Sequence, residues 1–470
     1  MKYLPPFKIR VSEGQDGPCH ELVSGKHFHF GLSAVGSQFW ANPPPRLLDL
    51  LRVATSIYVV DRLAKRKRRC QQCRWFRSLK VSVAVSQPDF WQSQDVLGTL
   101  MECLDFLSED NWELTFVKDD PPPVERFLPG ENPFLTNPPL VCLNSGGLDS
   151  AAGLAIRMAE NPKRPVLPVT VRHQPNQKAA VQRQCNLLGK HFGVDIHPLF
   201  FKAAMLWTAD LKRRKQEFSQ RCRSILFAAV GGVVAAMSEV AAVEVFESGI
   251  GAINLPLLAG MVGSRATRGS HPCFFRLMSK LVSLAAGREI AFQLPFLEKT
   301  KGEVVTQLKA LGLEDLARST VSCVHYPLRE RPHKQCGVCP ACILRRQAMA
   351  VAGIEEPGVY KYDLLGPVEA ADAIPEDRLI YLKAILLQVA NMGPLDPGSR
   401  VPDRVRRHLL ATNVASREEG MAPFLGLLSR YRHEWLDIVA QGMEEPGWAW
   451  TNLLAPVGAA LMGEENHASA

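Results

Sequence analysis

Pro139-Leu-Val-Cys-Leu-Asn-Ser-Gly-Gly-Leu-Asp-Ser150, running on through Ala151-Ala-Gly-Leu-Ala-Ile-Arg-Met-Ala159, is the stretch whose reading decides the fold. The apolar run Leu140 to Leu143 reads as a buried parallel strand. Leu148, Ala152, Ala155, Ile156 and Ala159 then recur at helical spacing. A strand, a glycine turn and a helix start in succession present free backbone N–H groups and the positive end of a helix dipole to an anion such as phosphate. Gly146 and Gly147 remove the Cβ atoms that would keep the anion away. Ser145 and Ser150 offer hydroxyl donors, and Asp149 can order the turn or help hold Mg2+. No Gly-Lys-Ser/Thr follows, so the turn is not a Walker A loop.

Ser145-Gly-Gly-Leu-Asp-Ser150 resembles the pyrophosphate loop (PP-loop) of ATP pyrophosphatases, which adenylate an oxygen of their substrate and release pyrophosphate. The resemblance implies that Ser145, Gly146, Gly147, Leu148, Asp149 and Ser150 bind ATP. It also implies an adenine nucleotide alpha-hydrolase-like α/β fold with a doubly wound parallel sheet.

The composition fits that expectation. The chain has 470 residues, 46% of them hydrophobic and 22% charged, enough for two or three globular units with a substantial core. It contains no run of eighteen apolar residues, and Met1-Lys-Tyr-Leu-Pro-Pro lacks a hydrophobic signal core, so a cytoplasmic protein without a membrane partner is expected. The net charge of +8 weakly favours polyanionic ligands such as ATP or nucleic acid, and of these ATP is the expected partner and nucleic acid is not.

Residues 1–118 read as an N-terminal α+β domain. Its strands are expected at Phe7 to Val11, His27 to Leu32, Leu79 to Val85 and Trp112 to Val117, and its helices at Pro45 to Arg62 and Asp95 to Leu107. The basic run around Lys65-Arg-Lys-Arg-Arg69, with Arg74 and Arg77, reads as a solvated loop or helix end. Cys70 and Cys73 lack a second nearby pair to complete a metal site. Residues 119–138 form a proline-rich linker. In the PP-loop domain, 139–320, strands at Pro165 to Val171, Asp195 to Phe200 and Val243 to Phe246 alternate with helices at Asn176 to Phe192 and Gln220 to Met237. The glycine-rich excursion from Glu247 to Pro272 reads as a loop lining the site. Helices at Glu376 to Val389, Val401 to Asn413 and Pro423 to Ala440 make 353–470 a helical C-terminal region for packing or partner docking.

Within 321–352, Cys323, Cys336, Cys339 and Cys342 form C-x12-C-x2-C-x2-C, with Gly337 in the tight turn. Four thiolates at this spacing close a tetrahedral Zn2+ site with no open position, which makes the metal structural. An iron–sulfur cluster is the alternative for the same ligands.

The order of these motifs resembles the 7-cyano-7-deazaguanine synthases. Ser322-Cys323, Cys336-Gly-Val-Cys-Pro-Ala-Cys342 and Arg345 look like that family's zinc knuckle, and Pro295 to Glu303 looks like its P-x5-K-x-E segment, placing Lys301 and Glu303. Arg223-Ser-Ile-Leu-Phe looks like the family's Arg-Asn helix start. The likeness covers about residues 139–350. It departs at Arg172 to Lys178, and again where Asn254 and His271-Pro-Cys273 replace an acidic and Tyr-Pro-Asp segment. The flanking segments look like those of longer relatives in bacterial anti-phage defence (antiviral) clusters, some of which are thought to attach a deazapurine to a partner protein.

The resemblance implies a ligase-like, ATP-dependent enzyme that adenylates a deazapurine carboxylate, 7-carboxy-7-deazaguanine, for attack by an amine. Asp149, Ser150, Lys301 and Arg223 are its expected catalytic residues, and ammonia or a protein acceptor is the amine. The alternatives are a tRNA- or base-modifying enzyme on the same loop and a non-catalytic ATP-binding subunit. Cys185, Cys222 and Cys273 offer the former no cysteine pair.

Overall fold

A computed structural model describes residues 7–13, 19–39, 41–66, 76–119, 137–172, 177–212, 217–257, 267–325, 334–365, 376–393, 395, 401–411 and 418–444. Cys70, Cys73, Arg74, Asn176, His333, most of the proline-rich linker and the middle of the Glu247 to Pro272 excursion lie outside them. The chain divides into two compact units. One comprises Met1–Ser145, Asn161–Val245 and Gly263–Leu294; the other comprises Gly146–Glu160, Phe246–Val262 and Pro295–Ala470.

Among the described residues the first unit holds ten strands: β1 (Lys8–Glu13), β2 (His20–Val23), β3 (Phe28–Phe30), β4 (Ser78–Val85), β5 (Asn111–Lys118), β6 (Leu140–Leu143), β7 (Val166–Arg172), β8 (Leu199–Met205), β9 (Ala242–Val245) and β10 (Ala291–Gln293). The larger sheet runs β10-β9-β6-β7-β8-β3. The first five of these strands pair in parallel and β3 closes the edge antiparallel to β8. Such a sheet buries both faces, which is why β6 and β7 read as nearly unbroken apolar runs. The strand expected over His27 to Leu32 is therefore an edge of the large sheet. It stops at Phe30 because the helix Leu32–Phe39 begins two residues later. The strand expected from Asp195 begins at Leu199, and β10 follows a helix, Pro272–Ala286, that the sequence reading did not place.

The N-terminal strands form the smaller sheet, β2-β1-β4-β5. The helix Pro45–Leu63 packs on β4 and on the helix Arg223–Met237, so one apolar core runs through both sheets. Nearly all of this helix is buried, polar residues included, and not only the apolar face seen in the sequence. Its Asp49 is fully buried and accepts hydrogen bonds from Ser86 N (2.9 Å) and Ser86 Oγ (2.7 Å), which meets the cost of burying the charge. Of the basic run, Lys65 is exposed as expected, whereas Arg66 and Arg77 are buried rather than solvated. Arg66 pairs with both Asp110 oxygens at 2.7 Å, and Arg77 bridges Asp61 and Asp110 at 2.6 Å each.

The second unit begins with the helix Leu148–Glu160 and is otherwise helical, with Gly249–Ile253, Lys301–Ala310, Glu314–Ser319, Pro340–Val351, Ile380–Ala390, Asp403–Ala411 and Ala422–Glu444 among its elements. The four knuckle cysteines share an apolar cluster with Leu382, Ile385, Tyr431 and Trp435, so the knuckle and the C-terminal helices make one core. Among the described residues, no helix is long and apolar enough to cross a membrane.

Candidate active site and metal centre

The glycine turn forms as its sequence requires. Gly146 adopts φ +82°, Ser150 Oγ donates to Gly147 O at 3.0 Å, and the helix starts at Leu148. Ser145 ends the first unit, where its carbonyl accepts from Gln177 Nε2 at 3.3 Å. Asp149 lies in the first helical turn, and Lys301 Nζ donates to its Oδ2 at 2.5 Å. Both side chains are largely shielded from solvent. Lys301 opens the helix Lys301–Ala310, whose N-cap is Thr300. Glu303 completes a capping box by accepting from Thr300 N at 2.8 Å, while Thr300 Oγ1 accepts from Glu303 N at 3.0 Å. The expected motif pair thus divides its labour. Lys301 reaches the loop, and Glu303 holds the helix end that carries it.

A third charged group was not singled out from the sequence. Glu247, two residues past β9, stands in the field of Asp149 and Lys301. Burial and the neighbouring Asp149 charge push its pKa up to about 8, against the pull of Lys301. Gly251 makes room for it, since a Cβ there would lie 2.1 Å from Glu247 Oε1. Burial opposes the Lys301 charge, but Asp149 and Glu247 outweigh it and the net shift is upward. The Lys301 cation and the Asp149 carboxyl therefore meet at the start of the loop helix, within the field of Glu247. Asp149 Oδ1 is buried and accepts no hydrogen bond among the described residues. An oxygen left in that state, beside a second carboxyl, suits a hard divalent cation.

Arg223 belongs to the first unit. It is set against Tyr58, Arg62 and Asp61, and its guanidinium lies over Phe227, 6.0 Å from the ring centroid. Burial, eased by Tyr58 and reinforced by Arg62, lowers its pKa. His271, one of the departures from the resemblance, is a buried N-cap: its Nδ1 accepts from Cys273 N at 3.1 Å, and its ring packs on Phe106. Asn254 takes the left-handed conformation at φ 48° and lines a cavity of about 50 Å3 with Gln388 and Tyr431.

The four cysteines expected to hold the metal come together. The sulfurs of Cys323, Cys336, Cys339 and Cys342 all lie within 4.8 Å of one another and all four residues are buried. His325 N and Cys336 N donate to Cys323 Sγ at 3.4 and 3.3 Å, the backbone support that a thiolate ligand needs. Gln335 holds the first ligand by accepting from Ser322 N and Cys323 N at 2.9 and 3.1 Å. Gly337, at φ +79°, lets Tyr362 O approach where a Cβ would be 1.7 Å away. Arg345, on the helix leaving the knuckle, is fully buried. It donates to Glu356 Oε1 through Nε (2.9 Å) and Nη2 (2.6 Å), to Ala317 O at 2.8 Å and to Thr320 Oγ1. This motif arginine ties the knuckle to the helix Glu314–Ser319.

With this geometry in place, residues 269–353 match the family model described as "Queuosine biosynthesis protein QueC". The chain is 29% identical over 232 residues to the 7-cyano-7-deazaguanine synthase of Methylobacillus flagellatus, a match covering 47% of this chain and 95% of that protein. It is 28% identical over 232 residues to the enzyme of the same name from Anaeromyxobacter dehalogenans, covering 47% and 94% respectively. A 95-residue stretch is 37% identical to the Anaeromyxobacter sp. (strain Fw109-5) synthase, covering 19% of this chain and 38% of that protein. About half of the chain is thus a relative of the 7-cyano-7-deazaguanine synthases.

Proposed function

We propose that this relative of the 7-cyano-7-deazaguanine synthases is an ATP-dependent, ligase-like enzyme of the cytoplasm that adenylates the carboxylate of 7-carboxy-7-deazaguanine. The observation that carries this reading is the Lys301–Asp149 pair at the start of the glycine-turn helix. It puts a buried cation beside backbone N–H groups, where a departing pyrophosphate would gather charge. A substrate carboxylate oxygen attacks the α-phosphorus of ATP, the bond to the bridging oxygen breaks, and an acyl-adenylate and pyrophosphate result. Ser145 to Ser150 cradle the phosphates and Lys301 meets the developing charge. Asp149 holds Lys301 in place. Asp149 Oδ1 and Glu247 fit Mg2+, which would neutralise phosphate charge when bound. We assign Zn2+ to the four cysteines, where a closed sulfur shell serves folding and not chemistry.

An amine then displaces AMP. With ammonia the product is the amide and, after a second activation, the nitrile that names the relatives. A second reading takes the amine from a protein acceptor, in the setting of an anti-phage defence system. It draws on the half of this chain that the relatives do not match, and on the N-terminal residues 1–118 and the helical residues 354–470, which lie outside the family-model match. The test is pyrophosphate release on mixing the protein with ATP and 7-carboxy-7-deazaguanine. Release that needs both substrates supports adenylation. No release above a no-enzyme control removes it.

A further inference from the structure

The longest C-terminal helix, Ala422–Glu444, lies past the residues that match the family model. Two of its side chains, one turn apart, grip the helix that carries Lys301. Arg430 Nε donates to Glu303 Oε1 at 2.7 Å, and its Nη2 donates to Glu298 O at 2.5 Å. Deeper in, Glu434 accepts from the Thr300 hydroxyl through Oε1 and from Gln347 Nε2, at 2.7 Å, through Oε2. Gly302 allows this approach, because a Cβ there would lie 2.5 Å from Glu434 Oε1. The glycine that separates Lys301 from Glu303 thus leaves the space that the Glu434 carboxylate fills.

We propose that Glu434 is a positioning residue for Lys301: through the Thr300 hydroxyl it fixes the first turn of the Lys301–Ala310 helix, and with it the lysine ammonium at Asp149. A single proton decides how Thr300 is used. Thr300 Oγ1 has one hydrogen and must accept from Glu303 N to cap the helix. Directing that hydrogen to Glu434 leaves the oxygen lone pairs for the cap. Gln347, on the helix that leaves the metal centre, holds the second carboxylate oxygen, so Glu434 joins the knuckle to the loop lysine.

Burial pushes the Glu434 pKa up to about 7. Thr300 and Gln347 oppose the shift, Glu303 adds to it, and Arg430 opposes it. These are the hydrogen-bonding and charged groups that face it: Thr300 and Glu303 from the lysine helix, Gln347 from the knuckle helix and Arg430 from its own. As a carboxylate it accepts on both oxygens. Once protonated, it presents a donor to Thr300 or Gln347 and the grip on the cap is lost. Activity should therefore fall as pH drops through about 7. The stability contribution of this group runs the other way. A carboxyl whose folded pKa is raised stabilises most below its unfolded value and loses that contribution as pH climbs to the folded one. A merely structural carboxyl would not couple the two in opposite directions.

This inference rests on the adenylation reading for its catalytic consequence, so the test has two arms. Glu434→Gln keeps the volume but puts an amide NH2 against one of the two donors. In the full chain with its zinc content verified, kcat for pyrophosphate release is expected to fall about 10- to 100-fold with little change in KM for ATP. The acid limb near pH 7 should vanish. Independently of turnover, labelling of Lys301 by an amine-acylating reagent, read by peptide mass spectrometry, should rise several-fold. Thr300→Ala should raise it equally and add little to Glu434→Gln. A folded Glu434→Gln protein with unchanged Lys301 labelling overturns the proposal. A wild type that releases no pyrophosphate defeats the adenylation reading, and the labelling still decides the positioning.

Discussion

Lys301 Nζ and Asp149 Oδ2 lie 2.5 Å apart across 152 positions of sequence, joining the first turns of two helices into one charged centre. Asp149 follows the glycine turn and Lys301 follows a capping box. Each charge therefore stands on a short, rigid helix start instead of a free loop. Lys301→Ala leaves Asp149 and Glu247 as neighbouring carboxyls without their cation. Substrate-dependent pyrophosphate release should drop by about 100- to 1,000-fold, as when one donor to a developing oxyanion is removed. Asp149→Ala should cost at least as much while circular dichroism stays unchanged. Wild-type rates from either variant would show that the pair does not serve the reaction.

Glu247 gives a pH signature in the free protein. Its folded pKa, about 8, is above the ordinary carboxylate value of 4.5, so the fold favours the protonated form. That contribution is complete below the unfolded pKa and is lost as pH rises through about 8. Thermal stability of the wild type should decline over that window, and Glu247→Gln should flatten the decline. Magnesium should also flatten the wild-type decline, by binding and stabilising the ionised carboxyl, and should have little effect on Glu247→Gln. Thermal melts from pH 5 to 9, with and without Mg2+, check both. A decline of equal size in Glu247→Gln would assign it to other groups.

The loop and the knuckle were legible because each is largely a local pattern: a short spacing fixes the turn, and three sulfur ligands with two residues between neighbours, Cys336, Cys339 and Cys342, share a tight loop. Lys301 was legible only through resemblance, since nothing local says that its ammonium meets Asp149. Glu247 and Glu434 were not legible. Their environments come from tertiary packing, and an isolated glutamate carries no periodic signal. Two members of the basic run, Arg66 and Arg77, were misread for the same reason. The run's charge suggested solvent, but Asp110 and Asp61, far along the chain, pair with Arg66 and Arg77 in the interior. His271 looked like a substituted pocket residue and is a helix cap, a role that its position before Pro272 could have suggested.

The buried Arg345–Glu356 pair yields a stability prediction. Glu356 also accepts from Tyr360 Oη at 2.5 Å, so Arg345→Met would leave a carboxylate without its charge partner in the interior. Removing one member of such a pair costs about 3–5 kcal/mol. Zinc retention should weaken with it, because Arg345 stands three residues past Cys342 on one helix. Cys339→Ser should lower metal content directly from about one zinc per chain, the stoichiometry of a closed four-sulfur site. Elemental analysis with chemical denaturation decides both. Iron with visible absorbance would replace zinc by a cluster.

The attacking amine divides the two readings of the product. The proposed chemistry is common to both as far as the adenylate. What differs is access for an amine larger than ammonia, and the segments outside the match are where this chain departs from its relatives. One segment beyond the family-model match already acts on the centre, since Glu434 and Arg430 hold the helix that carries Lys301. We therefore expect slow conversion to the free nitrile with ATP, 7-carboxy-7-deazaguanine and ammonium alone. With the cognate protein acceptor added, the expected product is a mass increase on that acceptor equal to the deazapurine acyl group. Mass spectrometry of the two mixtures separates the outcomes. Efficient nitrile formation from ammonium alone would make the protein a synthase like its relatives and remove the acceptor from the reaction.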